Sequence, residues 1–361
     1  MKKMFFNKES YGKRTTNIIV SFFVFFVLLR SLVLPADVIM KGKKENMQFS
    51  ENGFIVYSED YNIGLFGIEK LHPFDSSKYR KIYRSLLKSG IVKKDDFTIP
   101  SLPQETELLG VHGKEYLKSL NSPFVVSRIV EISSIASFPS SVIRKHIVYP
   151  QQLASGGTML AGQIAIKKGF SVNLSGGYHH AHKEKGSGFC LFADIALSLK
   201  KLFDEDEIQN ALIIDLDVHH GDGNAEIFQN DPRVDILDIY QKSNFPSKKF
   251  KVDFGGGLTG VVSGDTYIFN LKKYLDQIDF QKYDIIFFNA GMDVLSSDSL
   301  GGFSLTIDDV VKRDKMVAAK AIDNNIPLVM VLSGGYSKES WKAHFKSIKN
   351  IIEMYRNTDK K

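Results

Sequence analysis

Cysteine is nearly absent from this sequence: Cys190 is the only one in 361 residues. A disulfide framework is therefore excluded, and so is a zinc site made of cysteine thiolates. The chain also has no P-loop and no serine or cysteine in a nucleophile elbow. Any bound metal must accordingly be held by histidines and carboxylates, and neither phosphate cradling nor acyl-enzyme chemistry is expected.

Positive charge is present but unevenly distributed. The formal net charge is +6, and residues 1–36 contribute +5 of it through six basic residues and one glutamate. The rest of the chain is nearly neutral, whereas nucleic-acid binding needs a clustered basic face. Direct nucleic-acid binding is therefore not expected.

Residues 18–29 form an apolar run that follows a basic N-terminal region. The run is short for a membrane span, which needs about 20 residues, and the Leu-Pro-Ala sequence at 34–36 resembles the end of a signal peptide. We predict that residues 1–36 are a signal peptide or membrane anchor and that residues 37–52 are a linker.

This leader decides the expected location of the protein. If it is used, the protein is exported or associates with a membrane through residues 18–34. Two alternatives stay open: a buried helix, and an over-extended start with translation beginning near Met40 or Met47. A start near Met47 would leave the protein cytoplasmic.

The body of the chain alternates apolar strands with helices. Predicted strands cover 54–57, 170–174, 211–216, 234–239, 283–288 and 327–332, and predicted helices include 192–203, 265–275 and 307–324. Gly156 and Gly157 are expected to precede an amphipathic helix that ends at Gly169. Such alternation indicates a parallel sheet with helices on both faces, and we predict one catalytic domain over residues 53–357.

Four of these strands run directly into polar motifs. The motifs are GGYHHAH at 176–182, DLDVHHGDG at 215–223, NAGMDVL at 289–295 and LSGGY at 332–336. In open α/β sheets, ligands bind beyond the carboxyl ends of the strands. The four motifs are therefore expected to meet in one crevice.

Asp217, His219 and Asp293 are the candidate metal ligands. Residues two apart on an extended segment face the same side, so Asp217 and His219 can reach one ion. Three protein ligands would leave a fourth position open, as in catalytic zinc sites. Either residue of the first pair, taken alone, is as well explained as a capping or core polar group.

His179 and His180 follow two glycines, which allow a sharp backbone turn. Asp215 and Asp222 are left over for them, and a carboxylate on one imidazole nitrogen raises the basicity of the other. A solvated turn is the alternative for the histidine pair. Tyr336 lies on a glycine-rich loop and can donate to an oxyanion, so the set predicts metal-assisted hydrolysis of a carbonyl compound.

GGYHHAHKEKGSGFC, IIDLDVHHGDG, NAGMDVL and SGGY, in this order, resemble the histone deacetylase family of the arginase/deacetylase fold. FGIEKLHPFDSSKY at 66–79 and DSLGGFSLT at 298–306 resemble its class IV branch. The resemblance covers roughly residues 54–356. It implies one α/β domain with a central parallel sheet of about eight strands flanked by helices.

The resemblance implies a zinc-dependent lysine deacylase, with ferrous iron as an alternative metal. The implied roles are metal ligation by Asp217, His219 and Asp293, general base and acid catalysis by His180 with Asp222, electrostatic assistance by His179 with Asp215, polarisation of the acyl carbonyl by Tyr336, and substrate-tunnel walls at Gly188, Phe189 and Phe245. It also implies a structural potassium ion near Asp215, with Asp238 as a further ligand. The chain departs from the class IV pattern at His220 and Asp222, where that branch has Gln and Asn, and His220 is left without a role.

The expected substrate is an acyl-lysine protein or a small acylated amine, and class IV resemblance extends the acyl group to long chains. An amidohydrolase acting on acetylpolyamines or other small amides is the alternative. A non-catalytic acyl-lysine binding module is the non-enzymatic one. An arginase-like two-metal site is not expected, because GGYHHAH offers histidines where a second metal needs aspartates.

Overall fold

In the part of the chain that the structure describes, eight parallel strands form one sheet in the order β2-β1-β3-β8-β7-β4-β5-β6. The strands are β1 Ile55–Val56, β2 Phe97–Thr98, β3 Phe170–Asn173, β4 Ala211–Asp215, β5 Val234–Gln241, β6 Phe254–Leu258, β7 Ile285–Asn289 and β8 Leu328–Val331. The predicted α/β fold, with one parallel sheet of about eight strands, is confirmed. The six predicted strands differ from the observed ones by no more than two residues at either end.

Helices connect the strands and cover the sheet. The α-helices of the described residues are α1 Lys78–Lys88, α2 Glu105–Leu109, α3 Lys114–Ser119, α4 Pro123–Ile129, α5 Ser140–Ile143, α6 Tyr149–Lys168, α7 Asp194–Asp204, α8 Asp222–Phe228, α9 Gly264–Leu275, α10 Ile307–Asp323 and α11 Ser340–Thr358.

The computed structural model describes residues 53–64, 67, 69 and 73–358. The predicted leader and linker lie outside this part of the chain, so the signal-peptide, membrane and location hypotheses stay predictions. Within the described part, the helices lack the combination of length and apolarity that a membrane crossing needs.

Both faces of the sheet are buried because side chains alternate along each strand. In β4, Leu212 and Ile214 belong to one hydrophobic cluster, and Ile213 belongs to the cluster on the other face. A parallel strand covered on both faces needs a continuous apolar run, which 211–214 supplies. The site that follows β4 therefore rests on the middle of the core.

The helix before β3 differs from its prediction. The sequence places Gly156 and Gly157 ahead of an amphipathic helix, but α6 begins at Tyr149 and contains both. A Cβ at Gly156 would lie 1.9 Å from the carbonyl oxygen of Ser101, and one at Gly157 would lie 2.0 Å from the hydroxyl of Tyr61. The two glycines thus allow close packing inside the helix, and most of α6 is buried rather than amphipathic.

The sequence does not predict the two edge strands. β2 has two residues, which is too short to show a periodic pattern. β6 has the sequence FGGGL, and glycine is depleted in strands. Its strand conformation comes from parallel pairing with β5, which local sequence does not reveal.

Candidate active site

Four loops meet at one edge of the sheet. β3, β8, β7 and β4 are consecutive in the sheet order, and each of the four polar motifs follows one of them. Because the strands are parallel and adjacent, their carboxyl ends lie side by side. The structure therefore brings the four motifs into one crevice.

Asp217, His219 and Asp293 form a buried cluster. One ligand atom from each lies within 4.8 Å of the other two. His219 Nδ1 lies 3.0 Å from Asp217 Oδ1 and 3.1 Å from Asp293 Oδ2. The three residues proposed as metal ligands are thus close enough to bind one ion.

Hydrogen bonds fix the outer oxygens of both carboxylates. The Ser333 hydroxyl and the Gly334 N–H donate to Asp217 Oδ2 at 2.9 and 3.0 Å. The Val218 N–H donates to Asp293 Oδ1 at 2.9 Å. Partners of this kind orient metal ligands, and here they turn the inner oxygens toward His219.

The charges of the cluster fit a divalent cation. Burial and the neighbouring Asp217 raise the pKa of Asp293 to about 7. Burial lowers the pKa of His219, but its bonds to Asp217 and Asp293 outweigh this and raise it to about 10. The two buried carboxylates repel each other, and a cation between them would remove that repulsion. One imidazole and two carboxylates suit zinc or ferrous iron.

Two histidine–carboxylate pairs lie beside the cluster. His179 Nδ1 is 2.8 Å from Asp215 Oδ2, and His180 Nδ1 is 2.6 Å from Asp222 Oδ1. The two imidazole rings are 4.0 Å apart between centroids, and His179 Nε2 is 3.8 Å from Asp217 Oδ1. These are the pairings that the family resemblance implies.

The two imidazoles differ in charge. Burial lowers the pKa of both, but Asp215 and Asp217 outweigh it for His179 and raise that pKa to about 10. For His180, burial and the charge of His179 prevail over Asp222 and lower the pKa to about 3. His180 is therefore neutral near pH 7 and can accept a proton at Nε2, whereas His179 is cationic.

The Tyr336 ring packs edge-on between Phe74 and Phe189, with centroids 5.9 Å from each. Its centroid is 6.3 Å from that of His219. Burial, and then Asp293, raises the pKa of the phenol well above its ordinary value. Tyr336 therefore keeps its proton and can donate a hydrogen bond beside the cluster.

The predicted tunnel residues lie around His180. Gly188 has a φ of 47°, and a Cβ there would lie 2.4 Å from His180 Cδ2, so the close approach requires glycine. Phe189 follows it with a φ of 67°. The Phe245 ring packs edge-on against His180 at 4.9 Å and is 41% exposed. Gly188 and Phe245 therefore border His180, and the Phe189 ring packs against Tyr336.

An apolar chamber adjoins the cluster. Its space, including the open mouth, is about 860 Å³, and it reaches Asp217, His180 and Tyr336. Its apolar side chains include Tyr61, Ile63, Phe74, Val130, Ile132 and Ile147. The chamber therefore offers apolar contacts directly beside the cluster.

His220 connects the loop between β4 and α8 to β5. Its Nδ1 lies 2.7 Å from Asp238 Oδ2, and its Nε2 accepts the N–H of Phe250 at 3.0 Å. This gives a structural role to the one residue of the second motif that the sequence left without one. The other carboxylate oxygen of Asp238 is buried and has no hydrogen-bond partner in the described part of the chain.

That oxygen fits a cation site. Asp238 is paired with Asp215 across β4 and β5, and burial together with Asp215 raises the pKa of Asp238 to about 6 despite its bond to His220. A buried oxygen without a hydrogen-bond partner is commonly explained by a bound water or ion. The surroundings of Asp215 and Asp238 are therefore suited to the expected monovalent ion.

The sequence does not reveal the role of Asp194, which fixes the backbone of the histidine loop, residues 176–182. Its carboxylate accepts the N–H groups of Gly177 and Tyr178, each at 2.8 Å, and the hydroxyl of Thr158 at 2.6 Å. Leaving such donors buried and unpaired costs about 1–3 kcal/mol each. In the sequence, Asp194 resembles an ordinary acid at the start of a helix.

Two further residues support the SGGY loop. Lys78 of α1 is buried, and its Nζ donates to the carbonyl oxygens of Ser333 and Gly334 at 2.8 and 3.1 Å. Burial lowers the pKa of Lys78 to about 8, against the nearby carboxylates. Asp298 accepts the N–H of Tyr336 at 2.6 Å. Both contacts join distant parts of the chain, so no local signal reveals them.

Comparisons with known proteins agree with this geometry. The histone deacetylase domain model matches residues 72–352. The chain is 38% identical to histone deacetylase 2 of Arabidopsis thaliana over 82% of this chain and 78% of that protein. It is 32% identical to an uncharacterized protein of Picosynechococcus over 79% and 92% of the two chains.

More distant similarity extends to other organisms and to a solved structure. Human histone deacetylase 1 is 28% identical over 78% of this chain and 61% of its own length. The crystal structure of the HDA15 HD domain has a TM-score of 0.67, covers 84% of this chain and 88% of its own, and is 19% identical. That structure shows the fold. Because the domain match spans most of the sequence and the Arabidopsis relative is similar over four fifths of it, the chain belongs to the histone deacetylase family.

Proposed function

We propose that this chain hydrolyses the amide bond of N-ε-acyl-lysine with the help of a divalent metal, zinc or ferrous iron. Membership of the family indicates a hydrolase that acts on an acylated substrate. The observation that carries the finer proposal is the buried Asp217–His219–Asp293 cluster with the His180–Asp222 pair and the Tyr336 ring beside it. These are the groups that metal-assisted amide hydrolysis requires.

The residues of this chain take separate parts in the proposed reaction. A divalent metal would supply Lewis acidity, which polarises the acyl carbonyl and makes water more acidic. His180 accepts a proton from water at Nε2, because its Nδ1 is bonded to Asp222. The water oxygen bonds to the acyl carbon, and His180 then gives that proton to the lysine nitrogen as the C–N bond breaks, which releases the carboxylic acid and the lysine amine. Tyr336 donates to the acyl oxygen as negative charge develops there.

His179 supports this step electrostatically. Its ring, held by Asp215, is cationic and lies next to His180. A fixed positive charge there stabilises negative charge that develops in the buried site. A potassium ion near Asp215 and Asp238 would further fix the loop between β4 and α8, and the unpaired oxygen of Asp238 supports it.

The chamber bears on acyl length. A lysine stem that passes Gly188, Phe189 and Phe245 would bring its acyl group to the cluster, next to the apolar side chains of the chamber. Burying a methylene there contributes about 0.8 kcal/mol. We therefore propose that acyl chains longer than acetyl are accepted.

The test is turnover of one lysine peptide that carries acetyl, octanoyl or myristoyl, measured beside an N-acetylpolyamine. The proposal predicts hydrolysis of the peptide, with a higher kcat/KM for the longer acyl groups. Hydrolysis of the polyamine alone would contradict it and favour the small-amide alternative. An Asp293→Asn variant purified in the same way controls for contaminating activity, and absence of any turnover would favour the binding-module alternative.

A further inference from the structure

His182, the third histidine of GGYHHAH, has no part in the proposed reaction, yet it is buried beside Asp222. Its exposed fraction is 2%. His182 Nε2 lies 3.1 Å from Asp222 Oδ2, and His182 Nδ1 contacts Glu226 Oε2. The ring thus joins the carboxylate behind His180 to a second carboxylate.

The spacing on α8 explains this arrangement. Asp222 and Glu226 are four residues apart and therefore lie on one face of the helix. The start of the helix packs directly on the histidine loop, because the Gly223 N–H donates to the carbonyl oxygen of His179 at 2.9 Å. A Cβ at Gly223 would lie 2.3 Å from the carbonyl oxygen of Ala181. His182 is thereby held across one turn of the helix.

The two oxygens of Asp222 have separate partners. Oδ1 bonds to His180 and Oδ2 bonds to His182. A carboxylate held at one oxygen can still rotate, whereas one held at both has a fixed plane. The plane of Asp222 in turn sets the direction in which the His180 ring points toward the cluster.

Other charged and polar groups lie near His182. The charged side chains that line the groove into which Glu226 opens are Lys183, Glu184, Lys185, Lys200, Asp231 and Arg233. His112 faces His182 through the backbone, with its Nδ1 3.0 Å from the carbonyl oxygen of His182. The direct partners of the His182 ring remain Asp222 and Glu226.

We propose that His182, fixed by Glu226, is a positioning residue that holds Asp222 in the plane required for proton transfer by His180. The inference rests on the proposed function. It gives roles to His182 and Glu226, which take no part in the proposed reaction. His182 acts through Asp222 and touches no reacting atom.

The first test separates kcat from KM. His182→Ala is expected to lower kcat about 10- to 100-fold, as small misplacements of catalytic groups do, with KM and metal content unchanged. His182→Gln keeps an N–H for Asp222 and should recover most of kcat. Lys183→Ala, the neighbouring exposed residue, is the matched control and should behave as wild type. Equal losses in His182→Gln and His182→Ala, or a rise in KM with kcat unchanged, would overturn the proposal.

Glu226→Gln is a second variant that is not expected to impair folding, because that side chain is 34% exposed. It should lower kcat several-fold without lowering the melting temperature. The independent measurement is nitrogen NMR of labelled histidines in the metal-loaded protein. The His180 Nδ1 signal, which reports its bond to Asp222, should change in His182→Ala and stay unchanged in Lys183→Ala.

The NMR measurement also separates the positioning role of His182 from the proposed acyl-lysine hydrolysis. If wild type hydrolyses no acyl-lysine peptide, the proposed function fails, but the His180 signal still tests the contact through Asp222. A His180 signal that is the same in His182→Ala and wild type would overturn the positioning role whatever the substrate.

Discussion

Replacing Tyr336 with phenylalanine is expected to lower kcat on an acyl-lysine peptide by about 10²–10³-fold, which is the usual cost of losing one oxyanion donor. The phenol lies beside the Asp217–His219–Asp293 cluster, and burial keeps its pKa well above the ordinary value, so it is a donor at neutral pH. Phenylalanine preserves the packing against Phe74 and Phe189 and removes only the hydroxyl. Steady-state kinetics on the purified variant measure the effect.

Metal content is the control for this variant. Tyr336 is not one of the three proposed ligands, so metal analysis should give the wild-type stoichiometry. Loss of metal in Tyr336→Phe would mean that the hydroxyl has been given the wrong role. Wild-type kcat with full metal content would remove Tyr336 from the reaction altogether.

Replacing His180 with alanine is expected to reduce kcat about 10²–10⁴-fold, the range for a lost general base and acid. The same change at His179 should cost less. The reason is the charge difference between the rings: burial and His179 keep His180 neutral, with a pKa lowered to about 3, whereas Asp215 and Asp217 raise the pKa of His179 to about 10. Only the neutral ring can accept a proton.

The comparison is made with both variants on one substrate at one pH. Melting temperatures show whether either replacement disturbs the fold, since both side chains are buried. A larger loss of kcat in His179→Ala than in His180→Ala would reverse the assignment of the base.

The central sheet is predictable from the sequence because a parallel strand buried on both faces must be apolar throughout. The run 211–214 shows this directly, and so does 285–288. The edge strands and the true start of α6 are not predictable in the same way. β6 depends on pairing with β5. The glycines of α6 leave room for Ser101 and Tyr61, which are far away in the chain.

The candidate site likewise contains residues that the sequence predicts and residues that it does not. The Asp217–His219–Asp293 cluster and both histidine–carboxylate pairs come from motifs at strand ends, so the sequence places them together through the topology of the sheet. The supporting residues Asp194, Lys78 and Asp298 act through hydrogen bonds to backbone groups of other loops. A side chain that binds distant backbone leaves no spacing pattern, and the roles of all these residues stay proposals until they are tested.

The class IV assignment stays a prediction too. The chain has Asp222 where that branch is expected to have Asn, and here Asp222 is bonded to both His180 and His182. Burial raises the pKa of Asp222, but its bonds to the two histidines outweigh this and lower it far below the usual range. The carboxylate is therefore ionised, and it can orient His180 more strongly than a neutral amide would.

The most direct test of a metal-dependent acyl-lysine hydrolase is turnover of one acylated lysine peptide before and after a chelator removes the metal. We expect turnover to disappear on chelation, to return when zinc or ferrous iron is added to the wild type, and not to return in Asp293→Asn. Full turnover by protein shown to contain no metal would contradict this expectation.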